Sequence, residues 1–489
     1  MSIKANVILF LIVFFSLPFY AQTQHVVVNA KWTDSNHFTW LFDIETDGTA
    51  TIHHLDHHYD HVPVLTVPAK VEYEGKEIDV KRIGHHKEDL TETLAHQIDN
   101  DFDLVISEGI TELIGEAAGT FQKAENLRNV TLPKSLKKIG TLCFQGCTNM
   151  KLVPSELDCE LTSIGANAFA DCTSMEAITL KGSLDEAAAA VFNNTHMRYI
   201  NLQNLQIVPG KGTTMAGRNE KLKSRKFYGI PNHTLIYMPK GSEKDFPLVP
   251  GEVNFIYADA DGKNAYCEHF QVDDKFDTEV PLPFKAKKSS YINRTFGAGR
   301  SATLCLPYEA TLPAGMSAFT FSRREGDTFV FEPFMFTTLE ANEPYLLKAS
   351  HDGTAFSPET TEKSIPISKA VQPTGASCFI GTTVNIDNAT AAGWQAYNLK
   401  NNIWNPIRTS TPSGSIGHYR CGVVDTEEPS SGAKFFMMGF VTPTGIEIPN
   451  VDASVAASPF YTIDGILVRE RPLPAGIYVS KGKKVIINR

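Results

Sequence analysis

The sequence predicts a mainly β protein with short helical turns. It reads as a leucine-rich repeat solenoid, then a β-sandwich or jelly-roll-like domain, then a small β-hairpin tail. Three observations carry this. Between residues 127 and 180 the chain repeats itself: Leu127, Val130 and Leu132-Pro133 lead to Leu136, Ile139-Gly140, Cys143-Phe144 and Cys147, and the pattern returns at Leu161, Ile164-Gly165, Ala168-Phe169 and Cys172. A period near this length on an L-x-x-V-x-L frame marks stacked units, none of which can bury its apolar side alone. Beyond about residue 252 the pattern changes to short alternating or apolar runs broken by Pro and Gly, as in antiparallel sandwiches. At the C-terminal end, Asp464-Gly465 and Lys481-Gly482 place hairpin turns between short apolar runs.

Length and charge set the outer limits. A chain of 489 residues with 42% hydrophobic content has the means for two or three cores. Its net charge of −10, free of long single-sign runs, argues against a nucleic-acid partner, which needs a basic stripe. Lys4, an apolar run over 7–15, Ser16, Pro18 and Ala21 follow the order of a secretory signal, assigned to residues 1–21. The run is too short to remain as a membrane anchor, no Cys stands at the junction to carry a lipid, and no later stretch spans a bilayer. The expected location is therefore the cell surface, the outer membrane or the extracellular space. An exported chain permits disulfides among its eight cysteines. Cys143, Cys147 and Cys172 nevertheless occupy inward repeat positions, where a free thiol packs as a small hydrophobe; stacked Cys147 and Cys172 are also near enough to bridge.

Taken in order, residues 25–29, 39–44 and 49–53 read as strands, with Asp47-Gly48 as a turn, and form the N-terminal cap that a solenoid needs. The first rung is Leu65-Thr-Val67-Pro68 with Val80-Lys-Arg-Ile83-Gly84, separated by a small hairpin at Glu74-Gly75-Lys76. His53, His54, His57, His58 and His61, with Asp56 and Asp60, form the densest cluster of metal-capable groups. Zinc chelation needs ligands that converge, and the strand–loop–strand setting favours a solvated loop instead. His85, His86 and the polar stretch to residue 100 read as an inserted loop or short helix. Leu104, Ile106, Ile110, Leu113 and Phe121 make the next rung. Two clear copies follow, the second with an insertion around Cys159. Ile178-Thr-Leu180, Ile200-Asn-Leu202 and Ile236-Tyr-Met238-Pro239 supply further strands, an Ala-rich helical turn over 185–192 replaces one return segment, and 209–226 is a loop. About seven rungs exceed the roughly three needed for stability.

These motifs resemble the BspA-like, treponemal-type leucine-rich repeat surface proteins of gut and oral bacteria, whose unit is I-x-L-P, S-L-x-x-I-G, A-F-x-x-C. Leu136-Lys-Lys-Ile139-Gly140, Cys143-Phe144-x-x-Cys147 and Ala168-Phe169-x-x-Cys172 carry the likeness, and Phe227-Tyr-Gly-Ile-Pro231 with Thr234-Leu-Ile-Tyr-Met-Pro239 resembles the closing segment of secreted members. Thr303-Leu-Cys-Leu-Pro307-Tyr308 and Glu340-Ala-Asn-Glu-Pro344-Tyr345 also recur after the repeats in such proteins. The resemblance implies surface exposure and adhesion to host or microbial macromolecules. The tail, through Tyr461-x-x-x-Gly465, Leu473-x-x-Gly476-Ile-Tyr478 and Lys484-Val-Ile-Ile, is similar to type IX secretion sorting modules. The division expected is 1–21 signal peptide, 22–250 capped solenoid, 251–445 β-sandwich, and 446–489 linker and β-module.

Signatures of catalysis are missing: no G-x-S-x-G elbow, H-E-x-x-H helix or phosphate-binding Gly-rich loop is present. Asp259-Ala-Asp261-Gly262-Lys-Asn264 begins like a calcium loop but has Phe270 where the bidentate Glu belongs, so it reads as an acidic turn. Glu427-Glu428 and Asp273-Asp274 lie in polar stretches. The expectation is a binding protein without enzyme activity, cofactor or metal. With Leu127, Val130 and Leu132 inward, the residues facing out on the strands are Arg128, Asn129, Thr131, Glu176, Thr179, Arg198, Tyr199 and Asn201, and these are the candidate contacts for an extracellular protein or glycan. The alternative is a secreted protein that binds or degrades polysaccharide through the β-domain, with Trp394, Tyr397 and Trp404 stacking on sugar rings. Core packing is the competing reading of those three aromatics.

Overall fold

The x-x-V-x-L stretches and the Ile-Gly stretches each become a strand, so a rung contributes two strands where the sequence suggested one. The computed structural model describes residues 25–84, 94–116, 118–183, 186–187, 190–206, 230–243, 252–409, 414–426 and 435–442, and the strand segments 445–447, 460–462, 467–468, 476–480 and 483–487. The first line of strands is a parallel sheet in the order Val64–Val67, Phe102–Ile106, Leu127–Thr131, Lys151–Leu152. The second line, also parallel, runs through Lys76–Ile83, Glu112–Leu113, Lys138–Ile139, Ser163–Ile164 and Glu186–Ala187. Within the helical turn expected over 185–192, residues 186–187 are instead the last of these strands, while 185, 188 and 189 lie outside the described residues.

The glycine of each Ile-Gly pair explains how the second line forms. A Cβ on Gly140 would sit 2.2 Å from Gly115 N, and one on Gly165 would sit 2.2 Å from Thr141 N. Only glycine lets the backbones of neighbouring rungs approach this closely. Between the two lines, Leu104, Val130, Leu136, Ile139, Leu161 and Ile164 lie in one continuous core.

On the return side the repeated Phe forms a column. Phe121, Phe144, Phe169 and Phe192 stack with centroids 5.2, 5.5 and 5.8 Å apart and planes within 10° of parallel. The Cys that follows Phe144 and Phe169 by three residues bonds back to the preceding rung, with Cys147 Sγ donating to Phe121 O at 2.9 Å and Cys172 Sγ to Phe144 O at 3.1 Å. A small apolar side chain with one weak donor thus satisfies a buried carbonyl. All eight cysteines are free thiols, seven of them buried. Burial pushes Cys147 up to about 12 and Cys159 up to about 11, which keeps them protonated and unreactive.

The cap is an antiparallel meander of His25–Thr33, Thr39–Glu45 and Ala50–Leu55, turned at Asp47-Gly48 and joined in parallel to Lys76–Ile83. It buries Trp40, Phe42, Ile52 and Leu55 over the open end of the stack. A third sheet begins within the solenoid and continues past it, in the order Glu156–Glu160, Ala177–Ser183, Tyr199–Gln206, Leu235–Tyr237, Phe255–Ala258, Ala265–Cys267, Phe284–Ala286, Lys363–Ile365. Its hydrogen bonding pairs Leu235–Tyr237 with Phe255–Ala258, across the division expected at 250.

The β-domain centres on a ten-stranded sheet in which Thr328–Pro333 and Phe436–Thr442 run parallel and the other neighbours antiparallel. The sheet curls until Cys305 N donates to Tyr419 O at 3.3 Å and Cys421 N to Thr303 Oγ1 at 3.0 Å, nearly closing on itself. Phe329, Phe331, Trp404 and Phe436 fill the curl. Asn401 and Asn402, at φ 55° and 59°, make a two-residue hairpin turn. The tail strands Leu467–Val468, Phe460–Thr462, Gly476–Ser480 and Lys483–Ile487 form a separate antiparallel sheet. Among the described residues no helix is long and apolar enough to cross a membrane. The signal peptide, His85, His86, the 209–226 loop, residues 227–229 and Glu427-Glu428 lie outside the described residues.

Candidate ligand-binding cleft

The eight residues expected to face outward fall on two different sheets. Arg128, Asn129 and Thr131 lie on the first repeat sheet. There Arg128 pairs with Asp101 at 2.5 Å, while Asn129 donates its backbone N and Nδ2 to Asp103 Oδ1 at 3.1 and 2.9 Å. Thr179, Tyr199 and Asn201 lie on the third sheet, with Glu176 and Arg198 at the start of its strands. Asn201 departs from the expectation: it is 8% exposed, and its Oδ1 accepts from Gln203 N at 3.1 Å. The alternation fails because residues 200–203 are all buried where the flanking strands Ala177–Ser183 and Leu235–Tyr237 pair on either side.

Glu176 and Arg198 are brought together. Arg198 N donates to Glu176 O at 2.7 Å as neighbouring rungs pair, and Arg198 Nη2 lies 3.2 Å from Glu176 Oε2. The same guanidinium extends Nε to Asp277 Oδ2 at 3.3 Å and Nη1 to Glu279 Oε2 at 3.0 Å. It therefore joins the repeat sheet to the loop 273–279. Burial would lower its pKa, but Glu279, Glu176 and Asp277 together raise it, so the charge is permanent.

The loop is held from the other side by the curled sheet. Arg420 grips Asp274 in bidentate fashion at 2.7 and 2.9 Å, with Tyr291 Oη donating to the same carboxylate. His418 Nδ1 lies 3.3 Å from Asp277 Oδ1, its Nε2 is 2.7 Å from Asp274 O, and Asn385 N donates to Asp277 Oδ1 at 2.7 Å. Thr278 N donates to Thr383 O at 3.0 Å. With Asp274, Asp277 and Thr278 all anchored, Lys275 and Phe276 are left as the exposed tip.

The result is a cleft of about 380 Å³ lined by Lys151, Thr173, Ser174, Met175, Glu176, His196, Arg198, His233, Lys275, Phe276, Asp277 and His418. His233 forms part of its floor, 6% exposed, with its ring stacked on Phe276 at 3.9 Å and 8°. Burial, aided by His196, pushes the His233 imidazole down to about 4. His418 moves the other way, raised above the usual histidine value by its hydrogen bond to Asp277. Burial alone would raise Asp277, but His418, Asn385 N and Arg198 more than offset it and hold the carboxyl low. Sequence alternation found Glu176 and Arg198. It could not find Asp277, His418, His233 or Phe276, which lie on loops from distant parts of the chain.

The other candidates resolve without a site. His53 is buried on strand Ala50–Leu55, 3.3 Å from Asp43. His57 pairs with Asp56 at 2.5 Å and His58 with Asp99 at 3.0 Å. His53, His57 and His58 each lie beside a different carboxylate, while His54 Nδ1 lies 2.7 Å from His53 Nδ1, and among the described residues no group of three or more ligands converges on a metal position. Asp259-Ala-Asp261-Gly262-Lys-Asn264 is a hairpin turn in which Asp259 accepts from Asn264 N and Nδ2 at 3.2 and 2.7 Å. The sugar-stacking strip on the 394–404 hairpin is overturned. Trp404 is fully buried and stacked on Phe331 at 5.7 Å, and Tyr397 is 5% exposed, because both point into the curl of the sheet.

Residues 103–210 match the BspA type leucine rich repeat region, in 6 copies. No curated protein matches the chain. Similar solved structures include a leucine rich cell surface protein from Faecalibacterium prausnitzii A2-165, 19% identical over 50% of this chain and 64% of that one, with a TM-score of 0.29. A leucine-rich repeat protein from Bacteroides ovatus ATCC 8483 is 20% identical over 48% and 63%, with a TM-score of 0.24. Pneumococcal vaccine antigen PcpA is 14% identical over 50% and 65%, also with a TM-score of 0.24. The chain thus spans less than two thirds of each of these relatives. Paired strands, stacked phenylalanines and inward cysteines in the described part of residues 103–210 are the features of the chain that lie within this match to the BspA type leucine rich repeat region.

Proposed function

We propose that the protein is an exported cell-surface binding protein, an adhesin that grips a host or microbial macromolecule at the cleft where its repeat sheet meets loop 273–279. The observation that carries this is Arg198, whose guanidinium joins Glu176 of the preceding rung to Asp277 and Glu279 of the loop. That arrangement builds a concave polar site at one end of an extended strand face, and repeat proteins use such faces for recognition. Arg128, Asn129, Thr131, Thr179 and Tyr199 make up the wider surface, with Asn201 excluded by burial. In this reading residues 22–250 present the ligand face, 251–445 brace it, and the 446–489 hairpin tail serves as the sorting module. The polysaccharide reading through Trp394, Tyr397 and Trp404 is set aside because Tyr397 and Trp404 are core and Trp394 is half-buried against a separate cluster, so the three form no exposed strip.

The test is binding of the purified chain to surfaces coated with extracellular-matrix proteins and with host and microbial glycans. A signal on at least one surface is expected, reduced at least about tenfold by the double variant Glu176→Gln/Arg198→Gln, which removes hot-spot-type contacts. Arg128→Ala, on the separate first sheet, should change it by less than about threefold. Absence of binding to every surface, or binding indifferent to the double variant in a folded protein, sinks the proposal.

A further inference from the structure

The cleft has a chemical character that narrows its ligand. Its charges nearly balance: Lys151, Arg198 and Lys275 stand against Glu176 and Asp277, with Glu279 as the third carboxylate on the guanidinium and His418 paired to Asp277. Such a site has little surplus charge with which to hold an anion or a cation. Its lining is as much polar as apolar, with Met175 only 1% exposed and Phe276 the one aromatic ring of the lining with substantial exposure, at 37%. A pocket for a peptide's apolar side chains is lined mainly by hydrophobic groups.

What remains unsatisfied is hydrogen-bonding capacity. A guanidinium has five N–H donors, and three of Arg198's nitrogens are directed to carboxylates, which leaves two N–H groups. Each carboxylate has about four lone-pair sites. Glu176 meets Lys151 and Arg198, and Asp277 meets His418, Asn385 N and Arg198, so both keep acceptor capacity. His233 Nδ1 is buried at the floor and has no hydrogen-bond partner among the described residues. The Phe276 ring has one face against His233 and the other toward solvent. A flat apolar face beside paired donors and acceptors matches a group with one C–H-rich face and a rim of hydroxyls that both donate and accept. At about 380 Å³ the space lies at the low end of the ~300–1,000 Å³ typical of ligand pockets.

We propose that this cleft takes a neutral sugar residue of a glycan, its ring on the exposed face of Phe276 and its hydroxyls on Glu176, Asp277 and Arg198. The inference rests on the reading of the cleft as the binding site and assigns that site a ligand class. The neutral state of His233 fits it, because an uncharged floor leaves the platform without a preference for anions.

The test is saturation-transfer NMR on the full chain with neutral hexoses and N-acetylhexosamines, alongside a sialic acid and inorganic phosphate. Transfer to at least one neutral sugar is expected, weakened roughly tenfold in Phe276→Ala and largely kept in Phe276→Trp, as aromatic contacts of ~0.5–1.5 kcal/mol predict. Phe276 sits at the loop tip, 37% exposed, so its alanine variant should still fold, which an unchanged circular-dichroism spectrum checks; Ser174→Ala supplies a second variant, with a loss of about two- to fivefold. Transfer only to the anions, to no sugar, or to sugars regardless of both variants overturns the assignment. Protein-coated surfaces supply the distinguishing arm. Binding there that is lost in Phe276→Ala yet not competed by sugar overturns the sugar class and leaves the adhesin reading intact. Loss of all binding in both assays overturns both.

Discussion

His418 and His233 line the same cleft and respond to acid in opposite senses. The folded pKa of His418 is raised above 6.5 by Asp277, so its contribution to stability is fully present below 6.5 and is lost as the pH rises through the folded value. The folded pKa of His233 is lowered from 6.5 to about 4 by burial, so its contribution is present above 6.5 and is lost as the pH falls toward about 4. Melting curves from about pH 8 to about pH 5 should therefore rise on acidification toward 6.5 through His418 and fall below it through His233. His418→Asn should remove the rise and leave the fall below 6.5 in place. His233→Phe, which keeps a ring beneath Phe276, should do the reverse and flatten the acid side. Three parallel pH profiles, for wild type and both variants, would contradict the assignment. These opposed shifts were invisible in the sequence, where His233 sits in Pro-Asn-His-Thr and His418 in Gly-His-Tyr. Each depends on partners far along the chain, such as the Asp274 carbonyl 144 residues from His418.

Among the elements, the repeat shows both what periodicity carries and where it stops. The A-F-x-x-C motif foretold an inward Phe and an inward Cys, and both appear, the first as a stacked column and the second as an S–H donor to the previous rung. The second strand of each rung did not show, because a two-residue strand such as Lys138–Ile139 is too short to leave an alternation. Its signal was the glycine alone. Gly140→Ala should therefore lower stability by about 1–3 kcal/mol, since its Cβ meets backbone that cannot rotate away. A shift in urea midpoint at unchanged slope would register it. Gly393→Ala, where an added Cβ meets nothing within 4 Å, should stay within about 0.5 kcal/mol. Equal effects at the two sites would refute the close-approach argument. Alternation also failed at Asn201, because period two assumes one solvated face and the strand Tyr199–Gln206 is enclosed on both sides of its first half.

At the scale of the whole molecule, the third sheet makes solenoid and β-domain one hydrogen-bonded structure. The core around Leu235, Tyr237 and Ile256 is continuous with Leu304, Tyr345 and Tyr419 of the following region. A chain ended at residue 250 would strip Leu235–Tyr237 of its partner Phe255–Ala258 and leave a buried, apolar strand as an open edge. Such a fragment should elute as aggregate in size-exclusion chromatography, while the full chain does not. A stable monomeric fragment would show that the solenoid closes by itself.

Local pattern alone determined the repeat, its inward residues, the cap with its turn at Asp47-Gly48, and the switch of period beyond 252. Each of these is encoded by neighbours within one or two rungs, where side-chain periodicity and turn chemistry act directly. Tertiary structure decided the rest: the curling of the ten-stranded sheet that hides Trp404, the burial of Asn201, and the cleft itself. Arg198 and Glu279 are 81 residues apart. No spacing rule links them, because their meeting is set by how a whole sheet twists and where the loop after it is pinned.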